Sequence, residues 1–187
     1  IPISIDTFRS EVAASAVSAG ASLVNDVWSL KGDPMMAATL NRLQVPVILM
    51  HNQSSTTYLR FIPELLESLG TTLTEAEASG IDINNIIIDP GFGFGKTPAQ
   101  NLELIRNIRL FREKFNRPVL IGTSRKSTIG AVLGGLPTND RLEGTAATVA
   151  ISIANGVDII RVHDVKAMKR VARMTDALIR GWDGVPK

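Results

Sequence analysis

Six places in the chain put a polar or ionisable group directly after a short apolar run: Asp6, Asn25-Asp26, Met50-His51, Asp89, Ser124-Arg125-Lys126 and Arg161-x-His163-Asp164. Any one of them alone reads first as a turn former or helix cap. Six that converge describe a mouth in which acids, amides and cations could bind a polar heterocycle and an anion. Arg161 and His163 are separated by one residue, so on an extended segment both project to one side and form an anion clamp of guanidinium fork and imidazole. A surface pairing of Arg161 with Asp158 or Asp164 stays open. Arg125 and Lys126 stand near the start of a short helix containing KSTIGAVLG, where the helix dipole disfavours cations, and that placement hints at function. Of the pair at 25–26, Asn25 is the inward candidate, because an amide both donates to and accepts from a heterocycle's edge. Asp6 is balanced between a carboxylate aimed into the mouth and, with Thr7, a cap on the next helix. Met50 reads as packing and His51 as a capping or loop histidine. Two histidines are too few for a histidine-rich metal site.

The elements that must position these groups follow one pattern six times: a β-branched run, a polar residue, a loop, an amphipathic helix. Strands are expected at 2–5, 22–26, 46–50, 85–89, 118–122 and 157–161, and helices at 8–19, 34–43, 59–79, 98–115, 139–155 and 164–181. The near-continuous apolar character of the strands suits a parallel sheet covered by helices. Gly20, Gly80 and Gly156 each stand where a left-handed cap would close a helix. Thr97-Pro98-Ala99-Gln100 is a capping box with proline at the first helical position. Alternating βα units imply a doubly wound sheet or a (β/α)8 TIM barrel, and either one gathers its active site at the carboxyl ends of the strands. Six units of about 31 residues extrapolate to roughly 250 residues for eight, the usual length of such a barrel. A single domain over 1–187 that supplies six of the units is the expectation.

The stretch P-G-F-G-F-G-K-T at 90–97 comes within one residue of the phosphate-binding pattern G-x-x-x-x-G-K-[ST]. Pro90 stands in the place of the first glycine, offers no N–H and fixes its own φ, so a phosphate cradle fails there. Thr97 serves as a helix cap, Lys96 flanks it, and Gly91, Gly93 and Gly95 let the backbone fold tightly so that Phe94 presents its ring. The dinucleotide pattern G-x-G-x-x-G fails as well.

Charge and composition exclude other classes. The net charge of +2 is spread along the chain, which argues against nucleic acid as a partner. No apolar run approaches the roughly 20 residues of a membrane span. With no cysteine there are no disulfides or thiolate metal sites, and a cytoplasmic home is favoured.

Taken together, ISIDTFRSEVA, LVNDV, LMH, IIIDPGFGFGKT, IGTSRKSTIG, RLEGTAAT and IIRVHDV, in this order across essentially the whole chain, resemble the dihydropteroate synthase family. The resemblance implies a (β/α)8 barrel that condenses 6-hydroxymethyl-7,8-dihydropterin pyrophosphate with p-aminobenzoate, assisted by magnesium on the pyrophosphate. It implies that Asp6, Asn25, Asp89 and Lys126 hold the pterin, with Met50 and Gly122 lining its slot. Phe94, Ser127 and the stem of Lys126 would border p-aminobenzoate, and Ser124, Arg161 and His163 would take the pyrophosphate. Asp6, deeply placed, would stabilise a cationic pterin methylene, which makes Asp6, Lys126 and Arg161 the catalytic candidates. It further implies a homodimer through the late helices at 139–155 and 164–181. The chain opens directly on a strand, and the first two βα units of the family, with the asparagine that ligands magnesium, have no counterpart in it. An N-terminal truncation is therefore expected, with the 187 residues alone poorly active. The loop NQSSTTYL after His51 departs from the family's segment. Two rivals are a methyltetrahydrofolate:corrinoid methyltransferase, which needs no anion clamp, and a non-catalytic pterin-binding protein.

Overall fold

The computed structural model describes residues 1–185. Six short parallel strands succeed one another: β1 (Ser4–Asp6), β2 (Leu23–Asp26), β3 (Val47–Met50), β4 (Ile86–Asp89), β5 (Leu120–Ile121) and β6 (Ile159–Ile160). Between them run α1 (Ser10–Ser18), α2 (Met36–Leu43), α3 (Phe61–Ala78), α4 (Pro98–Asn107), α5 (Arg109–Phe115), α6 (Ser127–Val132) and α7 (Leu142–Ala154), with α8 (Val165–Arg180) closing the series. β1 to β4 form one parallel ladder and β5 pairs with β6. A parallel bridge from Ile88 to Val119 joins the two groups. The strand order is thus the sequence order, as in a (β/α)8 barrel, of which these are six consecutive units.

The pleat sorts the strands into two faces. Val24, Val47, Leu49, Ile86 and Ile88 point outward into the main core with Leu40, Leu65, Leu69, Leu104, Ile108 and Phe111 from the helices. In-register partners share a face. Asp6 is aligned with Asn25, Asn25 with Ile48, and Met50 with Asp89, so the alternate residues Asp6, Asn25, Met50 and Asp89 share the inner face. Burial of apolar side chains on the helix-facing side therefore fixes which side chains reach the mouth.

The expected helix over 98–115 is two helices. The hydrogen bonding tightens to i→i−3 at Ile108 and again at Phe111, and one helix ends as the next begins. The start of α1 also differs: Asp6 and Thr7 do not cap it. Asp33, more than twenty residues on, accepts from the Ser10 backbone N–H at 2.8 Å and from its hydroxyl at 2.7 Å. The capping box at Thr97 and Gln100 forms as expected. Gly20, Gly80 and Gly156 have φ of +111°, +84° and +93°. No helix among the described residues is long and apolar enough to cross a membrane.

Phe111 is fully buried in this core. Phe111→Ala should lower the unfolding free energy by about 3–5 kcal/mol, read from urea unfolding midpoints. A loss below about 1 kcal/mol would show that the core collapses around the gap.

Candidate active site

The chemistry gathers where β4 ends. Asp89 is 7% exposed, and its Oδ1 accepts from the Gly91 N–H at 2.8 Å. Burial raises its pKa above the usual carboxylate range, opposed by the Gly91 hydrogen bond and by the positive charges of Lys126, Lys96 and Arg161. Pro90 turns the chain, and Gly91, Gly93 and Gly95 all take positive φ. A Cβ at Gly91 would run into the carbonyl oxygen of His51, and one at Gly93 would come within 2.8 Å of the Lys126 stem. The glycines thus serve close backbone approach as well as turning.

Lys126 ends its loop as the N-cap residue of α6, but its side chain leaves the helix. Its ammonium donates to the carbonyl of Phe92 and lies 4.5 Å from the Phe94 ring centroid. Burial pushes the Lys126 pKa down to about 8, against the pull of Asp89. A cation set against the helix dipole is accounted for by a carboxylate and an aromatic face on the other side.

The anion clamp comes from β5 and β6. The Ser124 hydroxyl lies 2.9 Å from His163 Nδ1 and accepts from the His163 N–H at 3.2 Å. Arg161 shares the cavity with them, yet its guanidinium reaches across to Asp6, 2.6 Å from Oδ2. Neither Asp158 nor Asp164 takes it. Asp158 pairs with Arg112, while Asp164 receives two hydrogen bonds from Arg125, at 2.6 and 2.9 Å. Arg125 is therefore structural, not a ligand candidate. Asp6 is not deeply placed: its side chain is 45% exposed, because β1 has a neighbour on one side only among the described strands.

One cavity of about 330 Å³ collects Asp6, Met50, Asp89, Phe94, Gly122, Ser124, Lys126, Arg161 and His163, together with Val27 and Val162. Two expected residues do not line it. Ser127 is exposed in the first turn of α6. Asn25 is 4% exposed on the inner face beside Asp6, and its Oδ1 is buried without a hydrogen-bond partner. An orphaned acceptor of that kind suits a polar ligand reaching past Asp6. Asp26 faces the other way and holds the β2–α2 loop, accepting from the N–H groups of Trp28 and Leu30. Among the described residues no group of three or more His, Asp or Glu side chains is placed to hold a metal ion. A larger depression of about 900 Å³ at the end of α8 contains none of the mouth residues.

The residue that the sequence undervalued is Lys96. It is 8% exposed, and its ammonium donates to the carbonyls of Gly91 and Phe94, both at 2.9 Å, and to His51 Nδ1 at 3.1 Å. With Lys96 charged, its ammonium only donates, so Nδ1 of His51 then accepts and the ring proton sits on Nε2. Burial and the charges of Lys96 and Lys31 push the His51 pKa down to about 3. The Tyr58 hydroxyl donates to the Gly95 carbonyl, and Asn101 accepts from the Gly93 N–H.

This arrangement, parallel strands ending in a buried carboxylate and a basic clamp, belongs to a pterin-binding barrel. Residues 1–163 match the family model described as pterin binding enzyme. The chain belongs to the dihydropteroate synthase family of these enzymes. It is similar to the dihydropteroate synthase of Bacillus subtilis, 46% identical over 96% of this chain and 62% of that protein. With that of Clostridium beijerinckii it shares 45% identity over 96% of this chain and 66% of the relative. The chain thus spans about two thirds of these relatives. The crystal structure of the Clostridium difficile dihydropteroate synthase in the presence of pteroic acid superposes with a TM-score of 0.92 at 42% identity, covering 96% of this chain and 68% of that one. The Xanthomonas albilineans dihydropteroate synthase in complex with 7,8-dihydropteroate also gives 0.92, at 36% identity over 100% and 68%.

His51 binds its proton less tightly in the folded protein than unfolded, near 6.5, so stability falls as pH drops from 6.5 through about 3. The loss between pH 6.5 and 5 should be on the order of 2 kcal/mol and should be absent from His51→Gln. Urea unfolding of both proteins across this window checks it; equal losses would contradict the assignment.

Proposed function

We propose that this chain carries the reaction centre of a dihydropteroate synthase, which condenses 6-hydroxymethyl-7,8-dihydropterin diphosphate with p-aminobenzoate to 7,8-dihydropteroate and diphosphate. The observation that supports it best is one cavity in which a buried carboxylate, Asp89, faces a cluster of hydroxyl, guanidinium and imidazole donors, Ser124, Arg161 and His163. Asp89 would accept from the ring N–H groups of the pterin, with Met50 and Gly122 as walls and Asn25 Oδ1 as a second acceptor. Phe94, held against Lys126, would border the p-aminobenzoate ring, with Ser127 at the rim. Relatives solved with 4-aminobenzoic acid and with 7,8-dihydropteroate favour the same substrates.

In the chemical step the bond from the pterin methylene carbon to the diphosphate oxygen breaks, and the electron pair leaves with diphosphate. Arg161, His163 and Ser124 would stabilise the charge that develops there. Arg161 is drawn from Asp6 as it does so, which frees the Asp6 carboxylate to stabilise the positive methylene. The arylamine nitrogen then forms the new C–N bond and releases its proton. Magnesium accompanies the diphosphate in this reading. Among the described residues no group of three or more His, Asp or Glu side chains is placed to ligate it.

Dimerisation through α7 and α8 belongs to the same proposal. It is supported by Met174, Leu178 and Trp182, which are 60%, 73% and 70% exposed around the depression at the end of α8. A cytoplasmic location goes with this reading, in keeping with the cysteine-free sequence.

Synthase activity is tested by measuring 7,8-dihydropteroate formation by the protein carrying this chain. Arg161→Ala should lower turnover by about a hundredfold and weaken inorganic diphosphate by at least tenfold. Binding of methyltetrahydrofolate that ignores diphosphate, without product, would contradict the reading.

A further inference from the structure

Lys96 does not line the cavity, yet it hydrogen-bonds to both ends of the turn that carries the cavity's carboxylate partner and aromatic wall. All three donors of its ammonium are committed: to the Gly91 carbonyl, the Phe94 carbonyl and the His51 ring. Gly91 is the residue whose N–H holds Asp89. Phe94 closes the same turn, its N–H donating to the Gly91 carbonyl at 3.1 Å, and carries the ring that faces Lys126. A single buried cation therefore ties down both ends of the turn between the carboxylate and the aromatic wall.

We infer that Lys96 is a positioning residue for the synthase reaction, which sets Asp89 and Phe94 by clamping the 91–94 turn against His51. The inference rests on the synthase reading above. The approach is too close for any side chain at position 91, where a Cβ would stand 3.2 Å from Lys96 Nζ and collide with the His51 carbonyl. Charged and titratable groups face Lys96 from each element packed on it: His51 from the end of β3, Asp89 from the end of β4 and Lys126 from the start of α6. Burial pushes Lys96 down to about 7 while the charge of Asp89 pulls it back up, and the charge of Lys96 in turn opposes the burial-driven rise at Asp89.

The clamp residues Ser124, Arg161 and His163 share no hydrogen bond with Lys96. A positioning role and a merely structural one therefore differ in what they move. The test is calorimetric titration of two probes into the wild-type protein, Lys96→Met and Lys96→Gln: pteroic acid, which contains the pterin and p-aminobenzoate moieties, and inorganic diphosphate. Lys96→Met should weaken pteroic acid by about tenfold or more and leave diphosphate within about twofold. Lys96→Gln, which keeps two donors without the charge, should show the same selectivity with a smaller loss, and it serves if the methionine variant does not fold. Parallel loss of both probes in a folded variant, or unchanged pteroic acid affinity, would overturn the inference. Failure of the wild-type protein to bind either probe would instead strike the synthase reading.

Discussion

A carboxylate taken out of water has to be met by donors and opposite charge, and Asp89 is the point where this protein meets that demand. Burial raises its pKa, and one backbone N–H at 2.8 Å with the nearby charges of Lys126, Lys96 and Arg161 opposes that rise. Much of the surrounding structure follows from supplying those partners. The proline turn brings the Gly91 N–H round to the carboxylate. The three positive-φ glycines let the loop pass close to His51 and the Lys126 stem. The short helix α6 begins where Lys126 must be released from it.

The barrel geometry makes this arrangement possible. Parallel strands in register put every second residue on the inner face at the same height, and the outward residues are locked by the helices packed behind them. Met50 and Asp89 therefore arrive at the mouth with little freedom and Asn25 lies buried on the same inner face outside the cavity lining, whereas Asp6 on the outermost described strand is half open to solvent. Its ion pair with Arg161 joins the first strand's end to the segment after the last. Exposed pairs of this kind contribute about 0–1 kcal/mol to stability. Its importance is that a bound anion can compete for the guanidinium.

The sequence was informative where local pattern governs. Apolar runs ending in one polar residue located all six strands, the capping box located the start of α4, and the alternation of facing separated Asn25 from Asp26. Family motifs then marked nine residues that share the cavity. What escaped depends on contacts between distant segments. Lys96 read as a flank to a helix cap because its partner His51 lies 45 residues away. The cap of α1 comes from Asp33, and Arg161 finds Asp6 instead of a neighbouring acid. The break at Ile108 has no glycine or proline to announce it.

The central claim is that the buried carboxylate of Asp89 reads the pterin. Calorimetric titration of 6-hydroxymethylpterin into the wild-type protein and Asp89→Asn tests it most directly. The amide keeps the shape, loses the charge and turns one acceptor into a donor. The account predicts that affinity falls by about a hundredfold or more, the scale of a lost charge-assisted hydrogen bond plus a mismatched donor. Equal affinity of the two proteins would contradict it.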